Sequence, residues 1–140
     1  MSVELVSRFS VDDGELSALH ARAFGGGDRE TPWRDRLQQH ALSWVGAFDA
    51  GRLVGFVQVC WDGSAHAFLL DTAVDPRWQH CGVGRRLVEA AAADATAAGC
   101  HWLHVDFEPQ LEGFYLRQCG FTHTPAGLLR LDGEPGATTL

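Results

Sequence analysis

Between Leu70 and Arg86 the chain reads L-D-T-A-V-D-P-R-W-Q-H-C-G-V-G-R-R, the pattern of a strand that ends, turns, and opens a helix on two glycines one residue apart. The first N–H groups of a helix have no partner within it and point outward. The macrodipole adds about half a positive charge at that end. Glycine at 82 and 84 removes the Cβ atoms that would stand in the way of a phosphate. Arg85 and Arg86 bring cationic side chains to the same place. The spacing predicts an anion site at the helix start, although the two glycines would equally serve a plain tight turn. A dinucleotide-binding fingerprint is excluded, because G-x-G-x-x-G requires glycine where Leu87 stands.

Other residues suited to proton transfer are few. Tyr115 is the only tyrosine, an acid candidate or a helix aromatic packed on a sheet. The run His101 to Phe107 reads as a strand, on which His104 and Asp106 share a face by the period-two rule and Glu108 follows in the loop. Imidazole can accept a proton near neutral pH, so His104 is a base candidate; read alone it is equally a hydrogen-bonded structural histidine. His101 and His104 lie three apart on a strand and face opposite sides, so no metal pair is expected. Asp71 either meets a cationic substrate or pairs with an arginine. Trp33, Trp61 and Trp78 either line an acceptor pocket or pack in the core and at its rim.

These residues need a scaffold, and the pattern supplies one. Val3 to Phe9 alternates like an opening strand. Asp12 or Asp13 caps a helix over Gly14 to Phe24. Gly25 to Glu30 is a loop, and Thr31-Pro32 reads as an N-cap with proline at the first helical position, starting a short helix through Gln39. Ser43–Phe48 and Leu53–Trp61 form a hairpin across Asp49-Ala50-Gly51-Arg52, and Ala67–Val74 is a third strand of this group. Gly82 to Ala98 is a helix with Val83, Leu87, Val88, Ala91 and Ala95 on one side, stopped by Gly99. After the His101–Phe107 strand, a short helix runs from Leu111 to Cys119. Phe121 to Leu131 reads as two more strands around Pro125-Ala126-Gly127. The order βααβββαβαββ implies a mixed α/β sheet in one domain over residues 1–131, with 132–140 a frayed tail.

Composition limits the chemistry further. The chain has 140 residues, one domain's worth. It carries 11 basic residues, all arginine, against 18 acids, for a net charge of −7. That balance argues against nucleic acid as a partner and suits a cationic substrate. Without lysine there is no Walker A loop and no Schiff-base chemistry. No apolar run reaches the ~18 residues of a membrane span. The opening M-S-V-E-L-V-S-R lacks the apolar core of a secretory signal. Cys60, Cys81, Cys100 and Cys119 are isolated, with no C-x-x-C pair. The expectation is a cytoplasmic protein with reduced thiols, and the Arg-, Ala- and Gly-rich usage suggests a bacterial source.

At this point the sequence resembles a known family. V-D-P-R-W-Q-H-C-G-V-G-R-R-L-V resembles motif A (Q/R-x-x-G-x-G/A) of the GNAT superfamily of acyl-CoA-dependent N-acetyltransferases, with Gln79, Gly82 and Gly84 in its fixed positions. The resemblance assigns Gln79, His80, Cys81, Gly82, Val83, Gly84 and Arg85 to the pyrophosphate of acetyl-CoA, through the backbone N–H groups of the turn. Thr72, Ala73 and Val74 would run beside the pantetheine arm like an added strand. F-Y-L-R-Q-C-G-F at Phe114 to Phe121 is similar to motif B. The family tyrosine stands four residues before the closing glycine, whereas Tyr115 stands five before Gly120, so without a gap Leu116 takes its place.

The implied reaction is direct acetyl transfer to a primary amine (a small amine, polyamine, aminoglycoside or peptide N-terminus) in a ternary complex, without a metal. It requires a proton acceptor, a donor to the oxyanion and an acid for the sulfur. The resemblance offers His104, the Val74 N–H and Tyr115 for these tasks, with acceptor recognition in Phe24 to Gln39. Homodimers are common in the family; no heptad or apolar stripe argues for one independently. The alternative is a non-catalytic acyl-CoA-binding regulatory or interaction module.

Overall fold

Ala50 and Gly51, with φ of 48° and 81°, reverse the chain between Asp49 and Arg52. Two successive positive φ values suit the right-handed twist of the flanking strands. This hairpin joins β2 (Ala41–Asp49) to β3 (Arg52–Trp61), and the sheet grows outward from it. β1 (Glu4–Ser7) adds antiparallel to β2, and β4 (His66–Val74) antiparallel to β3. β5 (Trp102–Val105) joins parallel to β4, so the five strands lie in sequence order with one parallel pair. The structure, a computed structural model, describes residues 2–27 and 29–133. It divides into two units, Met1–Val105 and Asp106–Leu140.

In the first unit, α1 (Asp13–Phe24) begins where the Asp12 side chain accepts from Glu15 N–H at 2.8 Å, an ordinary N-cap bond. α2 (Trp33–His40) has Pro32 itself at the N-cap position, with no side-chain capping bond. The expected Thr31 cap is therefore corrected: Thr31 instead gives its backbone N–H to Ser17 Oγ at 2.9 Å, and so ties the loop to α1. α3 (Val83–Ala97) carries the crossover between the parallel strands.

The two faces of β3 show how the layers meet. Phe56 packs edge-on against Trp33 and Phe9, in a core with Leu16, Leu19, Leu37 and Ala73. Its neighbour Gly55 points the other way. A Cβ there would lie 2.9 Å from Leu87 Cδ1 and 3.2 Å from Val83 Cγ1, both on α3. Thus α1 and α2 cover one face and α3 the other.

In the second unit, a 3₁₀ turn (Pro109–Leu111) leads into a π-helix over Gly113–Gln118, where an ordinary short helix was expected. The two strands expected within Phe121 to Leu131 do not form; no strand is present at 121–133. Pro125 and Gly127 interrupt the segment, and its apolar side chains are not covered: Leu129 is 81% and Leu131 91% exposed. Without a buried face, alternation alone does not hold a strand. The mixed, mostly antiparallel α/β class holds with five strands in place of seven. Of the tail expected to fray, 134–140 lies outside the described residues.

Candidate active site

Asp75 and Pro76 end β4 in a 3₁₀ turn (Pro76–Trp78), where the buried Asp75 carboxylate accepts from Arg77 N–H at 3.0 Å and from Arg22 Nε of α1 at 3.1 Å. Gln79 Nε2 then donates to the Val74 carbonyl at 3.2 Å, folding the turn back on the strand end. His80 (φ 62°) and Gly82 (φ 86°) both sit in the left-handed region. Gly82 is the N-cap of α3, and the first helical bond runs from Arg86 N–H to its carbonyl at 3.1 Å. The N–H groups of Val83, Gly84 and Arg85 therefore have no carbonyl one turn back. A Cβ on Gly82 would meet no atom within 4 Å apart from its chain neighbours. Unpaired backbone N–H groups and the helix dipole behind a glycine N-cap fit a diphosphate.

Both arginine side chains of this turn hold hydrogen bonds elsewhere in the chain. Arg85 Nε donates to Glu89 Oε1 at 2.9 Å, and an Arg86 nitrogen donates to the Val3 carbonyl at 3.1 Å. The Arg85 guanidinium is thus drawn along the helix and that of Arg86 toward the start of β1.

Upstream, β4 is irregular. Phe56 pairs with Ala73 and Gln58 with Leu70, so β4 spends one residue more than β3 over this stretch, a β-bulge. Asp71 sits in the bulge with φ 58°. Pairing with β5 reaches only Leu69↔Val105. From Leu70 to Val74 that edge of β4 has no strand partner in the first unit, and Thr72, Ala73 and Val74 lie on it.

Two histidine arrangements flank this edge. Asp71 Oδ1 is 3.1 Å from His20 Nε2 of α1, and Oδ2 accepts from Gln58 Nε2 at 2.6 Å. Burial pushes the Asp71 carboxyl up, but the bonds from His20 and Gln58 and the nearby Arg36 outweigh it and hold it below its ordinary value. The Cys60 thiol, 3.4 Å from Gln58 Oε1, is raised by burial and then by the Asp71 charge. On the far strand, His104 is exposed, stacked on Phe68 at 4.8 Å, with Nε2 2.8 Å from His66 Nδ1. Asp106 falls outside β5, beyond the strand face expected for it.

A family model for "Acetyltransferase (GNAT) family" matches residues 14–121. The chain belongs to the GNAT family. It is 34% identical over 116 residues to a protein named GCN5-related N-acetyltransferase 1, chloroplastic, from Arabidopsis thaliana, covering 81% of this chain and 58% of that one. It is 31% identical over 122 residues to serotonin N-acetyltransferase 2, chloroplastic, from rice (85% and 60% covered). The chain thus spans about three-fifths of the curated relatives it matches. Its fold is shared with an aminoglycoside N-acetyltransferase solved in complex with CoA (TM-score 0.75, 18% identity, 94% and 95% covered).

In this GNAT chain the turn at 79–85 and the free edge at 72–74 come together within the first unit. Tyr115 belongs to the second. It is 6% exposed, stacked on Phe107 at 5.2 Å and edge-on to Phe114 and Phe121. Trp33 is core, Trp61 is partly exposed and Trp78 half-buried. Sequence reading missed the His20–Asp71–Gln58 group and the His66 contact of His104. For the first, the signals were a histidine on the apolar face of α1 and an aspartate within an apolar strand. No group of three or more metal-ligating side chains occurs among the described residues.

Proposed function

We propose that the chain transfers an acetyl group from acetyl-CoA directly to a primary amine in a ternary complex. The observation that carries this reading is the Gly82 cradle beside the unpaired edge of β4: helix-start N–H groups behind a glycine N-cap that no side chain caps, next to a strand able to accept an added partner. The thioester supplies an activated acyl carbon and a thiol leaving group. The backbone of Gln79, His80, Cys81, Gly82, Val83, Gly84 and Arg85 holds the diphosphate, and Thr72, Ala73 and Val74 align the arm. The Val74 N–H donates to the developing oxyanion, and Tyr115 protonates the departing sulfur. For the amine proton the first unit holds two imidazoles of the right kind, His104 on β5 and His20 on α1.

Acceptors follow from charge. A net charge of −7 favours cationic amines, and the rice relative is named for serotonin. Four free cysteines support a reducing, cytoplasmic setting; no helix among the described residues is long and apolar enough to cross a membrane. A homodimer belongs to the same proposal and is tested by light scattering.

Calorimetry and thermal melts with acetyl-CoA test the reading. Ligand at about 100 times Kd should add about 2.7 kcal/mol of stability. A thiol-release screen over serotonin, spermidine, neamine and glucosamine 6-phosphate then tests transfer. Binding without release from any amine would favour the non-catalytic acyl-CoA-binding module, and no binding would defeat both.

A further inference from the structure

The Asp71 carboxylate can only accept hydrogen bonds. The His20 nitrogen facing it, Nε2 at 3.1 Å, therefore carries the proton. A neutral imidazole has one N–H, so the lone pair must sit on Nδ1. His20 makes no second hydrogen bond among the described residues, and its side chain is 30% exposed. The ring is not loose. It lies 4.6 Å from the Phe24 ring and 5.2 Å from that of Trp33, which is buried in the core. Asp71 is itself fixed from behind by Gln58 and held in a bulge whose left-handed φ is costly for a residue with a Cβ. Strain of this kind persists only where its surroundings enforce it.

A set tautomer, a ring clamped by packing and a lone pair with no hydrogen-bond partner among the described residues suit a general base oriented by a carboxylate. Position adds to this. Asp71 directly precedes Thr72, Ala73 and Val74, and α1 is pinned again to the strand end through Arg22 and Asp75. By contrast, His104 shares its Nε2 with another imidazole, an arrangement that leaves its tautomer unset. The geometry points to His20 as the proton acceptor for the incoming amine, with Asp71 as its positioning residue. The inference rests on the acetyltransferase reading above.

The amine arrives as its ammonium ion and gives one proton to His20 Nδ1, forming an imidazolium beside the Asp71 carboxylate. The freed nitrogen lone pair forms the C–N bond while the C–S bond breaks. The second nitrogen proton passes to solvent as the amide forms, Tyr115 gives one proton to the sulfur and regains one from solvent, and His20 returns its proton to solvent. The products are an amide, a free thiol and one proton. Around the pair stand Cys60 from β3, whose thiol burial and then the Asp71 charge push up, and Arg36 from α2, stacked over Trp33 at 4.8 Å.

The test uses the full chain with serotonin and spermidine as acceptors. His20→Gln should lower kcat about 100-fold or more and abolish the ascending limb of the kcat/KM pH profile, with acetyl-CoA affinity unchanged by calorimetry. Asp71→Asn should displace that limb and lower kcat while leaving the amine KM nearly constant. A His20→Gln protein that keeps both kcat and the limb overturns the role. Should that variant not fold, ¹⁵N NMR of the native imidazoles decides instead: a proton on Nε2 and none on Nδ1 of His20 supports the assignment, and the reverse tautomer defeats it. A native chain that binds no acetyl-CoA would sink the underlying reading, and calorimetry distinguishes that failure from failure of the His20 role.

Discussion

The N–H of Cys119 donates to the carbonyl of Phe114 at 2.9 Å, five residues back, so the turn that carries Tyr115 holds one residue more than an α-helical turn. In an α-helix each residue advances the side chain by ~100°, and a tyrosine five before the closing glycine would be turned by that amount from one standing four before. A π turn spreads the rotation over more residues. The direction of Tyr115 is therefore not the one that α-helical spacing from Gly120 would give it. Its ring is then held by Phe107, Phe114 and Phe121.

Tyr115→Phe tests what that placement is for. The phenyl ring keeps the aromatic packing and loses only the hydroxyl. If the hydroxyl protonates the sulfur, kcat should fall about 100-fold or more, with the amine KM unchanged and the alkaline limb of the kcat profile removed. Single-turnover kinetics across pH would show it. A variant with native kcat at every pH would reduce Tyr115 to packing.

How much of this was legible in the chain depends on how local each cause is. The cradle at Gly82 was readable because the glycines, the preceding Asp-Pro and the helix period all act within a few residues. The hairpin at Ala50-Gly51 was readable for the same reason. The π turn was not, since Gly113 to Gln118 has no residue type that selects i→i+5 over i→i+4 bonding. His20 and Asp71 are 51 residues apart; their meeting depends on a bulge in β4 and on the seating of α1, which no spacing encodes. Phe121 to Leu131 failed in the opposite sense. Its residue types suit a strand, but a strand also needs a buried face, and there the leucines remain exposed.

Gly82→Ala should separate the anion site from the fold. At φ 86° any Cβ is strained, by about 1–2 kcal/mol, yet the protein itself offers nothing for that Cβ to strike. The loss should therefore fall on the ligand, with Kd for acetyl-CoA weakened at least tenfold, about 1.4 kcal/mol. Gly99→Ala is the matched control, at the other end of α3, with φ 94° and equally open space. Both variants should lose similar thermal stability, and only the first should lose affinity. Equal affinity in the two would remove the diphosphate from the cradle.

Gly55→Ala probes the packing of α3 on the sheet. Its Cβ would meet Leu87 Cδ1 at 2.9 Å and also Ala47 Cβ and Val83 Cγ1 at 3.2 Å, from the sheet and from the helix. Leu87 can yield, but the other two contacts are on stiff positions. Overpacking of this kind costs typically about 1–3 kcal/mol, and urea unfolding should show it as a lower midpoint with an unchanged slope. Because α3 carries the cradle, acetyl-CoA binding should weaken in parallel.

The Asp71 carboxyl makes stability depend on pH in the acid range. Burial opposes its charge, but His20, Gln58 and Arg36 together hold its folded-state value below the unfolded one of about 3.9. A depressed carboxyl contributes stability that is fully present above the unfolded value and disappears as pH falls through the folded one. Native protein should therefore lose stability as pH drops from about 5 to below 4, and Asp71→Asn should flatten part of that slope while lowering stability at neutral pH. Urea unfolding at intervals across this range measures both effects. The same acid slope in Asp71→Asn as in the native chain would mean that His20 and Gln58 do not favour the charged carboxylate, and the orientation of His20 would need another cause.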